Sequence, residues 1–352
     1  MAQPNLIWDS GTAYDFFVSL RVLHEPEKWG LRGAWAAGVR SRISAEHREF
    51  FKSMGVLIHA PLHWLGELPQ PKDAQTILNA LAEMPAEQRI ACFVSPFYGN
   101  STYYPQCAAI LQRVAEQGVW SDADVKVLHR QERRFGVKRR EIEQMLAWWI
   151  RPKAFGEAVL AALKNYYDVF FAEEEVRVRP YLEQANEKAQ QKTQGLTIHA
   201  IIEELSHGVR YKDEKLELAA NVMLAPSFWI TPFMVVGPTN NDERLFLYAA
   251  RPAESSLVPG EVVPDALSTA LKALADPTRL KILRYLSAEP HTPTELAQKL
   301  RLRAPTVIHH LHTLRLAHLV HITMLEEGKR YAARTGAIES TLTTLRSFLG
   351  DE

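Results

Sequence analysis

The sequence predicts a mainly α protein with small β elements, an α+β fold. A large helical N-terminal domain with a few strands should precede a C-terminal winged helix-turn-helix. Three observations carry this. Apolar stripes at helical spacing run through most of the chain. A stretch at 251–264 (RPAESSLVPGEVVP) holds three prolines and a glycine, and separates regions of unlike composition. The last 88 residues read in the order helix, helix, helix-turn-helix, hairpin, helix.

The division shows in the side chains. All eight tryptophans precede the linker, and only Tyr285, Tyr331 and Phe348 follow it. The 352 residues carry 41 Lys+Arg and 41 Asp+Glu, a net charge of zero, which taken whole argues against a polyanion binder. Residues 265–352 hold 12 basic and 9 acidic residues, a net of +3. Subtracting these from 41 and 41 leaves 29 basic and 32 acidic residues before them, a net of −3. The expected organisation is a dimerisation and effector domain at 1–250, with a short β segment near 216–250. A linker at 251–264 and the winged domain at 265–352 follow.

No apolar run approaches 18 residues, so no membrane span is expected. The first residues lack a basic stretch followed by an apolar one, so no secretory signal is expected. Cys92 and Cys107 fit neither a disulfide framework nor a zinc cluster. A reducing, cytoplasmic setting follows as the expectation.

In the N-terminal part, helices are expected at 13–23, 28–43, 45–54, 73–84, 86–93, 105–117, 122–135, 139–150 and 155–173. A longer charged helix is expected at 174–194. Strand-like runs lie at 6–8, 216–224, 231–236 and 245–248, the last two separated by a hairpin loop at 237–243.

In the C-terminal part, Leu267, Leu271 and Leu274 form a helical stripe. Asp276 then caps a new helix, with Pro277 in its first turn, where a missing N–H costs nothing. Thr292 and Glu295 form a capping box around Pro293. A turn at 301–304 leads to a helix over 304–317 with Val307, Leu311 and Leu314 inward. Strands at 320–325 and 329–332 flank a glycine turn, and a last helix at 336–348 carries Ile338, Leu342, Leu345 and Phe348.

The chemistry of this part fits DNA. From Lys299 to Leu325 there are four Lys/Arg, five histidines and no acid. Arg301, Arg303, Pro305, Thr306, Ile308, His309, His312, Thr313 and Arg315 are the candidate groove contacts, with Lys329 and Arg330 on the wing. His310, beside the inner stripe, is expected to be half-buried packing. The 309–312 histidines do not make a metal site, because adjacent helical side chains point about 100° apart.

Residues 273–286 (ALADPTRLKILRYL), 294–300 (TELAQKL) and 305–315 (PTVIHHLHTLR) resemble the ArsR-type winged-helix regulators over about 85 residues. The resemblance implies a dimeric regulator, in the first place a repressor, binding an inverted repeat in double-stranded DNA. It implies a homodimer contact at the first and last helices: Leu267, Leu271, Leu274, Ile338, Leu342 and Leu345. Two positions depart from the family: Ile308 replaces its usual serine and His318 its usual glycine. The cysteines and the acid–histidine pair of metal-sensing members are absent here, so no metal or cofactor is expected. Residues 14–24 (YDFFVSLRVLH), with the strand-rich stretch before the linker, are similar to ArsR-like bacterial regulators with a long N-terminal extension.

No catalytic pattern is present: there is no G-x-S-x-G, no phosphate-binding glycine loop and no H-E-x-x-H. Residues 95–99 (SPFYG) read as a turn. The chain is therefore expected not to be an enzyme. Two alternatives stay open: an N-terminal domain with an unrecognised activity, and a winged helix turned to protein interaction. The basic run 130–140 reads as a solvated junction or an extra phosphate contact. Trp148, Trp149, Tyr166, Tyr167, Phe170 and Phe171 are either core or the lining of a small-molecule effector pocket.

Overall fold

The computed structural model describes residues 4–29, 33–58, 61–94, 105–132, 137–206, 209–211, 220–230, 233–238, 243–252, 255–256, 263–325 and 328–349. It is α+β, as its sequence pattern predicts. Among the described residues no helix is long and apolar enough to cross a membrane.

The N-terminal part is organised by a four-stranded sheet: β1 (Asn5–Trp8), β3 (Asn221–Ser227), β4 (Val235–Pro238) and β5 (Glu243–Ala249). Its order is β1-β3-β5-β4, with β1, β3 and β5 parallel and β4 antiparallel to β5. Side-chain alternation explains why β3 and β5 read as nearly continuous apolar runs. Met223, Ala225, Leu245 and Leu247 face the main helical core. Val222, Leu224, Phe246 and Tyr248 face α11 (Ile198–Leu205), whose Ile198, Ile201, Ile202 and Leu205 complete a second core. The expected hairpin is present as β4 and β5, but its strands reach into the expected loop: Gly237, Pro238 and Glu243 lie in strands, and residues 239–242 lie outside the described ones. The run at 216–224 differs: β3 extends to Ser227, and residues 216–219 lie outside the described ones.

The helices are α1 (Ala13–His24), α2 (Gly33–Arg42), α3 (Ala45–Ser53), α4 (Leu62–Glu67), α5 (Ala74–Glu83), α6 (Pro105–Gln117), α7 (Asp122–Glu132), α8 (Arg139–Trp149), α9 (Pro152–Tyr166), α10 (Ala172–Lys192) and α11. Three expectations change. The helix expected at 28–43 is a one-turn 3-10 helix, Pro26–Trp29, and then α2. The one at 86–93 winds as a 3-10 helix, Ala86–Cys92, with i→i+3 bonds such as Gln88 to Pro85. The helices expected at 155–173 and 174–194 are continuous through a π-helical turn, Tyr167–Phe171. The expected turn at 95–99 lies outside the described residues.

The aromatic pairs are packing. Phe155, Tyr166 and Phe171 have no exposed surface. The indole N–H of Trp148 donates to Ser53 and that of Trp149 to the Leu111 carbonyl. Cys92 and Cys107 are buried, and burial pushes the Cys92 thiol up to about 12.

Buried carboxylates tie α1 and α10 to the sheet. Asp9 accepts from Lys72 Nζ at 2.6 Å and from the Tyr14 hydroxyl. Glu175 accepts from Thr12 and from the Ala74 N–H at 3.0 Å. Glu174 accepts from the Trp229 indole at 2.8 Å and from Arg177. Asp15 accepts from the Ser227 hydroxyl, from Phe228 N–H at 2.9 Å and from Trp229 N–H at 3.1 Å. It thereby holds the turn that leaves β3.

The C-terminal part packs its own core from α12 (Asp265–Leu274), α13 (Pro277–Ala288), α14 (Pro293–Leu300), α15 (Ala304–Leu316) and α16 (Thr335–Leu349), with the hairpin β6 (Val320–Leu325) and β7 (Gly328–Ala333). The order is that of a winged helix-turn-helix. A further strand joins it: β2 (Val209–Tyr211), directly after α11, pairs in parallel with Ile322–Met324 of β6.

Burial raises the Asp15 carboxyl from 3.8 to about 6. The folded value lies above the unfolded one, so ionisation opposes folding. This group's contribution falls as pH rises from about 4 to 6 and is level above that. Asp15→Ala strips three donors of their acceptor and should cost about 3 kcal/mol or more, read in a denaturant melt. The gap between wild type and variant should narrow as pH rises through that window.

Candidate nucleic-acid interface

The helix-turn-helix is built by local signals. Asp276 accepts from Arg279 N–H at 2.8 Å and caps α13. Thr292 and Glu295 bond each other's backbone N–H in a capping box that starts α14. The turn between α14 and α15 depends on Arg301, which adopts a left-handed conformation with φ 55°. The Leu302 N–H then reaches back to the Ala297 carbonyl at 2.9 Å and closes the end of α14. His318 does the same after α15, at φ 57°, with Leu319 N–H bonded to Leu314 O at 2.9 Å. That conformation gives a physical reason for a glycine there in the resembling family. Histidine holds it at a cost of about 1 kcal/mol.

Val307, Leu311 and Leu314 turn inward and are buried. Arg301, Arg303, Pro305, Thr306 and His309 are exposed, and Ile308 is 53% exposed. These residues crown the turn and the N-terminal half of α15. His310 is half-buried beside Asp276, and burial lowers its pKa despite that carboxylate.

The C-terminal half of α15 has a different environment. His312 stacks on Phe233 of the N-terminal part, with ring centroids 6.1 Å apart and planes at 16°. The Arg315 guanidinium lies 4.9 Å from the centre of the same ring. Thr313 is half-buried and its hydroxyl donates to the His309 carbonyl. Of the expected groove contacts, His312 and Arg315 are thus engaged within the chain, and the exposed ones concentrate before them. Nothing in the sequence pattern signals Phe233, because its partner lies far along the chain and beyond the linker.

On the wing, Lys329 is exposed; partial desolvation, and then the nearby Arg315 charge, lowers its pKa. Arg330 reaches inward instead. It bonds the Pro290 carbonyl at 3.1 Å and Glu295 at 3.2 Å, which ties the wing to α14. The His291–Tyr331 bridge reinforces the same junction. In the basic run, Arg139 is paired with Asp122 and Glu143, and residues 133–136 lie outside the described ones.

The expected dimer residues separate. Leu267 is 3% exposed, so it holds the chain's own interior rather than a partner. Leu271, Leu274, Ile338 and Leu345 are half-buried, and Leu274 and Ile338 pack on the C-terminal core. Leu342, Phe348 and Leu349 are 48%, 44% and 67% exposed, and α16 buries none of its residues. Among the described residues no group of three or more His, Cys, Asp or Glu is arranged to hold a metal.

A family model described as a helix-turn-helix domain matches residues 274–323, which span α13 to β6. The C-terminal part is a winged helix-turn-helix domain. It is similar to an uncharacterized HTH-type transcriptional regulator of Methanocaldococcus jannaschii, 42% identical over 59 residues, 17% of this chain. The chain covers 62% of that relative's length, under two thirds. The transcriptional repressor SdpR of Bacillus subtilis is 25% identical over 83 residues, 24% of this chain and 92% of the repressor. Both matches span less than a quarter of the chain, as a winged domain alone would. No solved structure matches the chain.

Removing the ring that meets the winged domain should free α15. Phe233→Ala should raise amide hydrogen exchange across Ala304–Leu316 and Val209–Tyr211 while the melting of both cores stays cooperative. Unchanged exchange in those segments would show that the ring is not a restraint.

Proposed function

We propose that this chain is a DNA-binding transcription regulator that reads an inverted-repeat operator as a homodimer. The observation that carries the reading is the exposed, acid-free surface formed by Arg301, Arg303, Thr306, Ile308 and His309 on a winged helix-turn-helix. Arg301 and Arg303 stand where a helix entering a major groove meets phosphate. Thr306 and His309 lie one helical turn apart, positioned for base edges, and Ile308 offers an apolar contact to a thymine methyl. Lys329 supplies a wing contact to backbone. Occupying an operator in this way blocks access to it, so repression is the sign we assign. It is also the activity in the name of one similar protein. Such a protein works where DNA is, in the cytoplasm.

The exposed Leu342, Phe348 and Leu349 on α16, with half-buried Leu345, form an apolar stripe suited to a second copy. The N-terminal domain is the controlling part, because it touches both the reading helix and the wing. We read it as non-enzymatic. Its perturbed carboxyl, Asp15, has no exposed surface and is fully engaged with backbone and hydroxyl donors, so it offers no site for a substrate. The exposed Ile308 supports a second reading, in which the winged surface binds protein.

Fluorescence anisotropy with genomic fragments tests the assignment. We expect a preferred fragment, with His309→Ala reducing discrimination by about 1–3 kcal/mol and Lys329→Ala lowering the salt slope by about one. Binding that ignores sequence and is indifferent to His309→Ala would favour the protein-interaction reading. Sedimentation tests the assembly. Leu342→Asp with Phe348→Asp should convert a dimer to a monomer and weaken operator binding by tenfold or more, because two half-sites no longer bind as one unit.

A further inference from the structure

A cavity of about 810 Å³ opens between the end of α1, the 3-10 turn Pro26–Trp29, α2 and α3. That volume suits a small organic ligand. Its lining carries three cations, Arg40, Arg48 and Lys52, and two carboxylates, Glu25 and Glu27, with Pro26 and Ala37 among the apolar contributors.

The charges are not equally available. Lys52 pairs with Glu49 at 2.6 Å, and Glu25 lies 3.8 Å from Arg21. The guanidiniums are different. Arg40 donates through Nη1 to the Leu23 carbonyl. Arg48 donates through Nη1 to the carbonyls of Ile43, Ser41 and Arg40, at 2.9, 3.3 and 3.4 Å. Each is anchored by one nitrogen, and among the described residues no hydrogen bond engages its Nε or Nη2. Neither forms an ion pair with a described carboxylate. Burial first, and then the charges of Arg40 and Lys52, keep His24 below its ordinary pKa, so it adds no positive charge at neutral pH. Two pre-positioned guanidiniums, with Pro26 and Ala37 as apolar contacts and Glu27 as the opposing charge, suit an anionic head on an apolar body.

The 3-10 turn at the cavity's edge also leads to the winged domain. Pro26 and Glu27 share a single 3-10 turn with Trp29. Trp29 is 9% exposed, and its indole N–H is buried without a partner among the described residues. Its ring meets Phe233 edge-on, with centroids 5.1 Å apart and planes at 84°. Phe233 is the ring that holds His312 and Arg315.

We propose that this cavity binds an organic anion, a carboxylate or phosphate head on an apolar chain, and that occupancy is relayed through Trp29 and Phe233 to the recognition helix. The binding site stands on the cavity alone. The regulatory meaning of the relay rests on the DNA-binding reading above.

The test uses the full-length protein and four probes: decanoate, decyl phosphate, decanol and inorganic phosphate. Decanoate or decyl phosphate should raise the melting temperature in a saturable way, while decanol and inorganic phosphate should not. Which of the two shifts it identifies the head group. The double variant Arg40→Met/Arg48→Met should weaken binding about tenfold or more. If that variant folds poorly, Ala37→Trp, which fills the cavity from an exposed position, should abolish the shift. The proposal is overturned if no anion shifts the melt, if inorganic phosphate matches decyl phosphate, or if the shift survives in the folded variants.

Hydrogen exchange then reads the relay without DNA. The binding anion should change exchange across Ala304–Leu316 in the wild type and leave it unchanged in Phe233→Leu. An identical response in both would overturn the relay. Because neither measurement involves an operator, failure here is separable from failure to bind DNA.

Discussion

The arrangement of the winged helix on the N-terminal part depends on where Phe233 is held. That position is set by a buried carboxylate. Asp15, on the first helix, accepts two backbone N–H groups and a hydroxyl from the turn after β3. The turn continues through the buried Trp229 and Ile230, and Phe233 N–H bonds back to the Ile230 carbonyl at 2.8 Å. Phe233 is thus tied to a buried turn, with Trp29 on one side and His312 and Arg315 on the other. Strand β2, paired to the wing edge, is a second attachment nearby. Together they touch α15 on its C-terminal half and the hairpin at β6. The N-terminal half of α15 stays exposed.

This placement gives the two parts unequal tasks. A ring beneath Arg315 and His312 does not cover Thr306 and His309, so the N-terminal half of α15 stays exposed while its C-terminal half is held from the other part. Arg330 has the opposite character. Its ties to Pro290 and Glu295 fix the hairpin against α14, leaving Lys329 as the exposed wing cation. A net charge of zero conceals this arrangement, since the basic, acid-free segment is balanced by acids elsewhere in the chain.

What was legible in the sequence follows from the range of the forces involved. The caps at Asp276 and Thr292, the inward stripe at 307, 311 and 314, and the hairpin at 320–333 are set by neighbours within a few residues. The half-buried position of His310 follows from the same stripe. Contacts over long separations were not legible. Pairing of β1 with β3 joins residues more than 200 positions apart, and β2 finds its partner in another domain. Helix α11 is an exception: Thr197 capping and isoleucines at 198, 201 and 202 are a local signal, although no helix is expected there. Leu267 shows the remaining ambiguity. One stripe serves an internal core or a partner equally well, and only the packing of the rest of the domain decides which.

The strength of the junction bears on what it can do. An aromatic stack contributes about 0.5–1.5 kcal/mol beyond area, and a guanidinium over a ring about 0.5–2 kcal/mol. A three-residue ladder at a sheet edge adds a similar amount. These contacts together contribute a few kcal/mol, of the same order as typical coupling between two binding sites. A much larger interface would lock the winged domain in place, and a much smaller one would let it tumble independently. At this strength the docked and released arrangements are close enough in free energy for a ligand with unequal affinity for them to shift the balance. Phe233 lies between α15 and Trp29, whose 3-10 turn also carries the cavity residues Pro26 and Glu27, which is why Phe233, rather than any basic residue, is the side chain on which the proposed control should turn.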